Sequence, residues 1–304
     1  MRRRLTAVLV PLAFLCLLLA DCSREGNVNS PEPAAAPPLP SISTMSMDLS
    51  VFESAQVDAQ AIKDGGYKEI QPVAGLESKL NFFNAAVRVY FLNLVVCAAL
   101  VEPVAAFGVA VHSVPQPQDD GSWLWTYIFV NNAVEYSIFL NGKDMGSYTA
   151  WKMEVSSTDP SAPLDHLLWF EGEVQKDDSS GYWQFYEPTV ELLTMTPGVV
   201  MAGAAEALST PGVLSIRIDW KNREGNEHKL VFLVNKPGIP EEGSTLTYLE
   251  LPTVFSVDFV DAKAGTRGII SWHPDGSGSI DWPDYRNGEK SCWDTHQYNT
   301  VCPE

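Results

Sequence analysis

The stretch LSIRIDW, residues 214–220, alternates strictly between apolar and polar side chains. Successive side chains of an extended strand point to opposite faces, so its four apolar residues share one face. Ser215, Arg217 and Asp219 share the other face. The stretch therefore predicts a β-strand with one buried face.

Segments of the same kind lie on both sides of this stretch, at 122–130, 133–140, 147–156, 165–175, 181–187, 228–234, 245–251, 253–260, 267–273 and 278–283. Turn sequences such as Asn141-Gly142 and Asp275-Gly276 separate them, and such dipeptides are typical of tight hairpins. The same hairpin signal explains HPDGSGSID at 273–281 better than a calcium loop does, because the EF-hand spacing is missing. The region 122–304 is thus predicted to be a meander of about ten or eleven antiparallel strands.

One apolar insertion, PTVELLTMTPGVVMAGAAEALSTP at 188–211, interrupts the series of strands. Its many small residues make it a poor strand, and Pro197-Gly198 and Pro211-Gly212 flank its central part. Two interpretations stay open: a gate over a bound ligand, or a cap on the open end of the sheet.

A second decisive stretch is VYFLNLVVCAALVEPVAAFGVAV, Val89–Val111, within a helical region at 51–112. A long helix is predicted from near Leu76, and Pro103 is expected to kink or break it. It has only a narrow polar stripe, made of Glu77, Asn81, Asn84, Arg88 and Glu102.

The apolar run before Glu102 is shorter than the roughly 20 residues of a membrane span. If all of Val89–Val111 crossed a bilayer, Glu102 would lie near its centre, where a charge costs at least about 2.5–3.5 kcal/mol. We therefore expect a core helix. The predicted fold class is mainly β with helices (α+β), in which a strongly curved antiparallel sheet or incomplete barrel is wrapped around this helix.

The N-terminus combines Arg2, Arg3 and Arg4 with an apolar segment, Leu5–Ala20, which predicts a signal peptide over 1–21. The sequence LLADC, ending at Cys22, resembles the lipobox of bacterial lipoproteins. The resemblance implies a lipid on Cys22, and Ser23 after it implies sorting to the outer membrane. The alternative is cleavage after Ala20, which would give a soluble secreted or periplasmic protein. Residues 22–50, rich in proline, are expected to form a disordered tether, followed by one domain at 51–304.

Five cysteines are present, and Cys16 and Cys22 belong to the leader and the anchor. In an oxidising compartment Cys292 and Cys302 are expected to form a disulfide. Cys97, in the apolar helix, is expected to be a buried small hydrophobic residue.

No motif for catalysis, metal or cofactor binding stands out, so we expect a protein that is not an enzyme and has no cofactor. The five histidines include no pair spaced i,i+4. The formal net charge of −18 disfavours nucleic acid as a partner. The expected partners are the membrane, through the lipid, and a lipid or other apolar ligand.

Tryptophans recur through the strands. Trp123, Trp125, Trp151, Trp169, Trp183 and Trp220 are candidate ligand-binding residues, with core packing as the alternative. Three functional interpretations remain open: a non-catalytic envelope lipoprotein that binds an apolar ligand or envelope component, a glycan-binding module, and a purely structural protein.

Three further motifs are WLWTY (Trp123–Tyr127), LLWFEGEV (Leu167–Val174) and SCWDTHQYNTVC (Ser291–Cys302). With the leader and the apolar helix, they make the chain resemble uncharacterised β-rich bacterial lipoproteins. The architecture is also similar to that of the periplasmic lipoprotein carrier and the outer-membrane lipoprotein receptor. That similarity implies a curved sheet and helices around an apolar cavity.

Overall fold

The structure, a computed structural model, describes residues 35–52, 55, 77–110, 112–131, 133–160, 163–187, 212–223 and 227–303. Two compact units divide after Ala35, and the first, Met1–Ala35, lies outside the described residues except for its last residue. The signal peptide at 1–21, Cys22 and the insertion 188–211 therefore stay predictions. The side chain of Cys97 is also outside the described part of the chain.

The described residues of the second unit form a sheet of fourteen strands, in which every strand pairs with its neighbour in sequence. Each pair is antiparallel. The strands are β1 Gln116–Pro117, β2 Ser122–Asn131, β3 Val134–Asp144, β4 Tyr148–Ser157, β5 Leu164–Gln175, β6 Ser180–Tyr186, β7 Leu214–Arg223, β8 Glu227–Val234, β9 Thr245–Glu250, β10 Phe255–Asp261, β11 Thr266–Trp272, β12 Gly278–Asp281, β13 Ser291–Trp293 and β14 Asn299–Thr300.

The mainly antiparallel β class predicted from the alternation is confirmed, and each of the eleven predicted segments contains a strand. The three additional strands β1, β13 and β14 have two or three residues each, too few to show a period of two. Among the described strands, β1 and β14 each pair with one neighbour and not with each other, so the sheet is not closed.

One face of the sheet, called here the inner face, carries the core. In β7 Ile216, Ile218 and Trp220 are buried, whereas Asp219 is exposed. Their cross-strand neighbours Trp183, Phe185 and Phe232 are buried as well. The start of the strand departs from the predicted alternation, because Ser215 is buried and Leu214 only partly so, next to a register shift in the pairing with β6. From Ile216 onward, the alternation of LSIRIDW thus corresponds to a real difference in burial between the two faces.

Tryptophans of the inner face lie directly against glycines of the adjacent strand. Gly142 is the cross-strand partner of Trp151, and Gly172 is that of Trp183. A Cβ atom at Gly172 would lie 2.4 Å from Cε3 of Trp183 and 2.3 Å from the backbone oxygen of Tyr182. Gly181 and Trp220 repeat the arrangement in β6 and β7. The glycines therefore provide the space that the indole rings occupy.

One long helix, α1 (Leu80–Ala110), follows a short 3₁₀ turn at Glu77–Lys79. It contacts strands near the start of the sheet, in its middle and at its end, namely β2, β3, β6, β7, β12, β13 and β14. Phe107 packs edge-on against Phe170 of β5, and Phe82 against Trp293 of β13. The helix core residues Ala85, Val89 and Leu92 are buried.

The helix does not end at Pro103, so the alternative of a break at this proline is wrong. A proline within a helix costs about 3 kcal/mol or more, because its ring clashes with the preceding turn and a hydrogen bond is lost. Pro103 is buried, and Leu100 and Phe107 on either side of it belong to the core. Tertiary packing of this apolar helix offsets the local cost.

Residues Ala36–Phe52, called here the strap, also pack into the core. Trp183 Nε1 donates a hydrogen bond to Thr44 Oγ1 over 3.1 Å. The ring of Phe52 lies 5.0 Å from that of Trp272, and Met45 is buried. The tether predicted for 22–50 therefore differs from the structure over residues 36–50, because the apolar residues after Pro40 bury enough surface to order the chain.

A disulfide holds the C-terminal end of the sheet. The sulfur atoms of Cys292 and Cys302 lie 2.13 Å apart, and their Cα atoms lie 5.1 Å apart, as the expected disulfide requires.

Within the described ranges, no helix combines the length and the apolar character needed to cross a membrane.

Candidate functional site

A groove of about 380 Å³ lies between the strap and α1, called here the strap–helix groove. Its lining comprises Met47, Asp48, Leu49, Ser50, Phe52 and Ala55 from the strap side, and Ala86, Val89, Tyr90 and Asn93 from α1. Six of these ten residues are aliphatic or aromatic without a polar atom in the side chain. The groove thus has a mixed lining, in which polar and apolar atoms contribute similar amounts of surface.

Helical spacing explains the contribution of α1. Ala86, Val89, Tyr90 and Asn93 are separated by three or four residues, so they lie on one side of the helix. Ala86 and Val89 are buried, whereas Tyr90 is 40% exposed. The helix therefore supplies both the apolar base of the groove and an aromatic ring that reaches solvent.

The strap lines the groove with consecutive residues, 47–50, so both its apolar and its polar side chains contribute. Its sequence MSMDLSVF, at 45–52, alternates apolar residues with Ser46, Asp48 and Ser50. Phe52 closes one end of the groove by packing on Phe82, with ring centroids 5.6 Å apart. This alternation was the signal that could have located the groove from sequence, but it lies where the proline-rich composition suggested a tether.

The titratable groups of the groove are Asp48 and Tyr90. Asp48 Oδ1 accepts the backbone N–H of Ser50 over 3.0 Å, which holds the carboxylate in a local turn. Burial raises the pKa of the neighbouring Tyr248 well above its usual range, and Glu250 raises it further. Tyr248 therefore remains a neutral hydroxyl at physiological pH.

Beside the groove, three residues of the polar stripe, near the start of α1, are buried, whereas Glu77 before the helix is exposed. Asn81, Asn84 and Arg88 are exposed by 1% or less. Arg88 Nη2 donates to Asp284 Oδ1 over 2.8 Å, and Nη1 donates to Asn84 Oδ1 over 3.0 Å. Asn81 Nδ2 donates to the backbone oxygen of Cys292 over 2.6 Å. The stripe thus joins the start of α1 to the C-terminal end of the sheet.

Two aromatic rings complete the surroundings of Arg88. Its guanidinium carbon lies 5.6 Å from the ring centroids of both Trp282 and Tyr285. Tyr285 also donates its hydroxyl to Asn81 Oδ1 over 2.7 Å. A buried cation needs such partners, because an isolated charge in the core costs several kcal/mol. The network fixes the helix that forms one wall of the groove.

The six candidate tryptophans do not line the groove. Trp125, Trp151, Trp169, Trp183 and Trp220 are at most 2% exposed, and Trp123 is half-buried. Among the described residues, the indole N–H groups of Trp151, Trp169 and Trp220 have no hydrogen-bond partner. These rings form a continuous part of the core, so a glycan approaching from solvent has no free ring face on the five buried ones.

No group of three or more His, Cys, Asp or Glu residues is arranged to hold a metal ion within the part of the chain that the structure describes. Comparisons with protein-family models, with curated proteins and with solved structures found no match. The groove is therefore interpreted from its own chemistry.

Proposed function

We propose that this chain is a non-catalytic lipoprotein of the bacterial cell envelope that holds an apolar ligand in the strap–helix groove. Cys22 carries the lipid, residues 1–21 are the signal peptide, and the outer membrane is the location. The observation that carries the ligand proposal is the groove itself, a recess of about 380 Å³ with apolar side chains at its base and a partly exposed aromatic residue beside it.

The size and lining of the groove suit a small apolar molecule. Ligand pockets commonly have about 300–1,000 Å³ and combine an apolar lining with a few polar groups. Here Met47, Leu49 and Val89 supply the apolar surface, and Asp48, Ser50 and Asn93 supply polar groups. A single acyl chain matches this combination, with its polar end next to these polar groups.

The finer architecture belongs to the same proposal. We propose that the sheet curves around α1, because the helix contacts strands near both ends and in the middle of the strand order. Rings at both ends of the helix, Phe82 and Phe107, pack on strands far apart in that order. In such an arrangement the helix and strap fill the interior, and the groove is the gap between them.

Anchoring through Cys22, which is part of this proposal, keeps the protein at a membrane. A ligand taken from, or delivered to, that membrane is therefore favoured.

The test uses the full chain purified in mild detergent and a dansyl-labelled fatty acid as the probe. Val89→Phe places a ring in the groove, and Val109→Phe makes the same change at a 38% exposed position of the same helix. We expect saturable binding by the wild-type protein and the Val109 variant, and at least tenfold weaker binding by Val89→Phe.

Circular dichroism checks that both variants are folded. A milder variant, Tyr90→Ala, tests the exposed side of the groove without filling a buried site. Binding that is equal in wild type, Val89→Phe and Tyr90→Ala would place the ligand elsewhere. Lack of saturable binding by the wild-type protein would leave the purely structural interpretation.

A further inference from the structure

A second cleft, of about 340 Å³, lies near the C-terminus and is called here the C-terminal cleft. Ser271, Ser279, Cys292 and Thr300 are consecutive cross-strand partners in β11, β12, β13 and β14, and all four line it. Ile270, Trp272 and Ile280, which alternate with the serines, are buried in the core. The cleft therefore lies on the face of the sheet opposite to the core, away from the inner face.

Two turns build one end of this cleft. Trp293 Nε1 donates to the backbone oxygen of Gly276 over 2.8 Å, which ties the β11–β12 turn to the end of β13. Gly276 also lies against Thr295, because a Cβ built on it would be 3.5 Å from the Thr295 backbone oxygen. The disulfide of Cys292 with Cys302 fastens the strand that follows. The cleft is thus held by side-chain, backbone and covalent contacts.

The cleft offers hydrogen-bond donors that the protein itself leaves unused. Lys290, Ser271 and Ser279 line it, and their side chains make no hydrogen bond or ion pair with any described residue. His273 Nδ1 lies 2.7 Å from the backbone oxygen of Thr253. Because a carbonyl only accepts, Nδ1 carries the hydrogen, and the ring is fixed in one orientation.

The nearby carboxylates are occupied within their own turns. Asp294 Oδ1 accepts the backbone N–H groups of His296 and Tyr298, each over 2.9 Å. Asp275 Oδ1 accepts from Ser277 N and Ser277 Oγ, and these bonds lower the pKa of Asp275. Both carboxylates keep their negative charge, so the lining combines the cation of Lys290 with the carboxylate of Asp294, whose Oδ1 is taken up by its own turn.

We propose that the C-terminal cleft binds a small oxyanion group of the phosphate type, with Lys290 as its cation and the serine hydroxyls of β11 and β12 as donors. A lysine ammonium binds phosphate as a compact point charge, and hydroxyls supply additional hydrogen bonds. A neutral sugar fits less well, because Trp293, the only tryptophan in the lining, is 1% exposed and presents no stacking face. The group can belong to a free phosphorylated molecule or to an anionic lipid headgroup.

The experiment uses the full chain carrying Cys22→Ser, in buffer without detergent, and titrates it with inorganic phosphate and in parallel with vesicles that contain phosphatidylglycerol. Lys290→Gln removes the cation, and Ser279→Ala removes one hydroxyl. The matched control is Lys221→Gln, which changes an exposed lysine on β7. Calorimetry should give saturable binding by wild type and control, and affinity lower by about tenfold or more in Lys290→Gln, as expected for a lost charged hydrogen bond.

Phosphate binding that depends on Lys290 identifies a soluble ligand, and vesicle binding with the same dependence identifies a headgroup; either result supports the site. Absence of binding to both probes overturns it. The proposal is also overturned if the Lys290→Gln and Lys221→Gln variants bind with equal affinity. In that case the positive charge of Lys290 would have no specific role in binding. Circular dichroism of each variant confirms that the sheet is intact.

Discussion

The glycines beneath the tryptophan rings lead to the sharpest prediction, that the smallest possible side chain at Gly172 destabilises the sheet. In Gly172→Ala the new methyl would lie 2.3 Å from the backbone oxygen of Tyr182 and 2.4 Å from the Trp183 ring. The backbone oxygen belongs to the paired strand and cannot rotate away. Because overpacking typically costs about 1–3 kcal/mol and a backbone clash lies at the upper end, we expect a loss of about 3 kcal/mol.

The control makes the same substitution at Gly108, in α1. There the new methyl would lie 3.7 Å from Ile42 Cδ1, an ordinary van der Waals contact. Alanine is favoured over glycine inside a helix by about 1 kcal/mol, so Gly108→Ala should stabilise the protein by up to that amount. The two substitutions, chemically identical, are thus expected to have opposite signs.

Urea unfolding followed by far-UV circular dichroism measures both free energies in the full chain. This signal is preferable to fluorescence, because Trp183 itself contacts the mutated site. A Gly172→Ala protein within about 0.5 kcal/mol of wild type, the range of ordinary surface substitutions, would refute the reasoning. So would equal destabilisation by both variants, because a general intolerance of alanine would then explain the result.

Three other perturbations test separate parts of the structure. Asp284→Ala leaves the fully buried Arg88 without its carboxylate and should cost about 3 kcal/mol in urea unfolding, whereas Asp258→Ala, whose partner Arg267 is 60% exposed, should cost less than about 1 kcal/mol. Equal losses would contradict the role of burial. Burial, and after it Glu171, raises the pKa of Tyr186 to about 12 from 10.0. The contribution of Tyr186 to stability should therefore be complete below pH 10 and decline as the pH rises towards 12. Absorbance titration of the wild type and of Tyr186→Phe measures this pKa, and titration of Tyr186 near pH 10 would contradict the expectation. Cys22→Ser should move the protein from the membrane pellet to the supernatant, and unchanged fractionation would count against the lipid anchor.

The β-strands were predictable because a half-buried strand must alternate. Segments as long as β3 or β7 show that alternation several times over. Strands β13 and β14 are too short to show it, and the disulfide and Trp293 hold them in place through long-range contacts. Local pattern therefore predicts long strands and fails for strands that tertiary contacts create.

The polar residues of α1 illustrate a second limit. The sequence correctly indicated a long helix in this region, yet it could not indicate that Arg88 pairs with Asp284 across nearly two hundred residues. The strap was missed for a similar reason, because Thr44 and Met45 become core residues only through contacts with distant strands. The candidate groove lies between these two elements, so its location depended on tertiary structure.

The order of the elements along the chain has a consequence for how the protein folds. Each strand pairs with its sequence neighbour, so hairpins can form early from local contacts. The apolar helix is different: α1 ends at Ala110, but the partners of Arg88 and Asn81 lie near the C-terminus, at Asp284 and Cys292. At about 5–20 residues per second, synthesis of the intervening chain takes roughly 10–40 s. During that interval the earlier strands β2, β3, β6 and β7 can already cover part of α1, but Asn81 and Arg88 at its start lack their partners, so the last hairpins complete the burial of the helix.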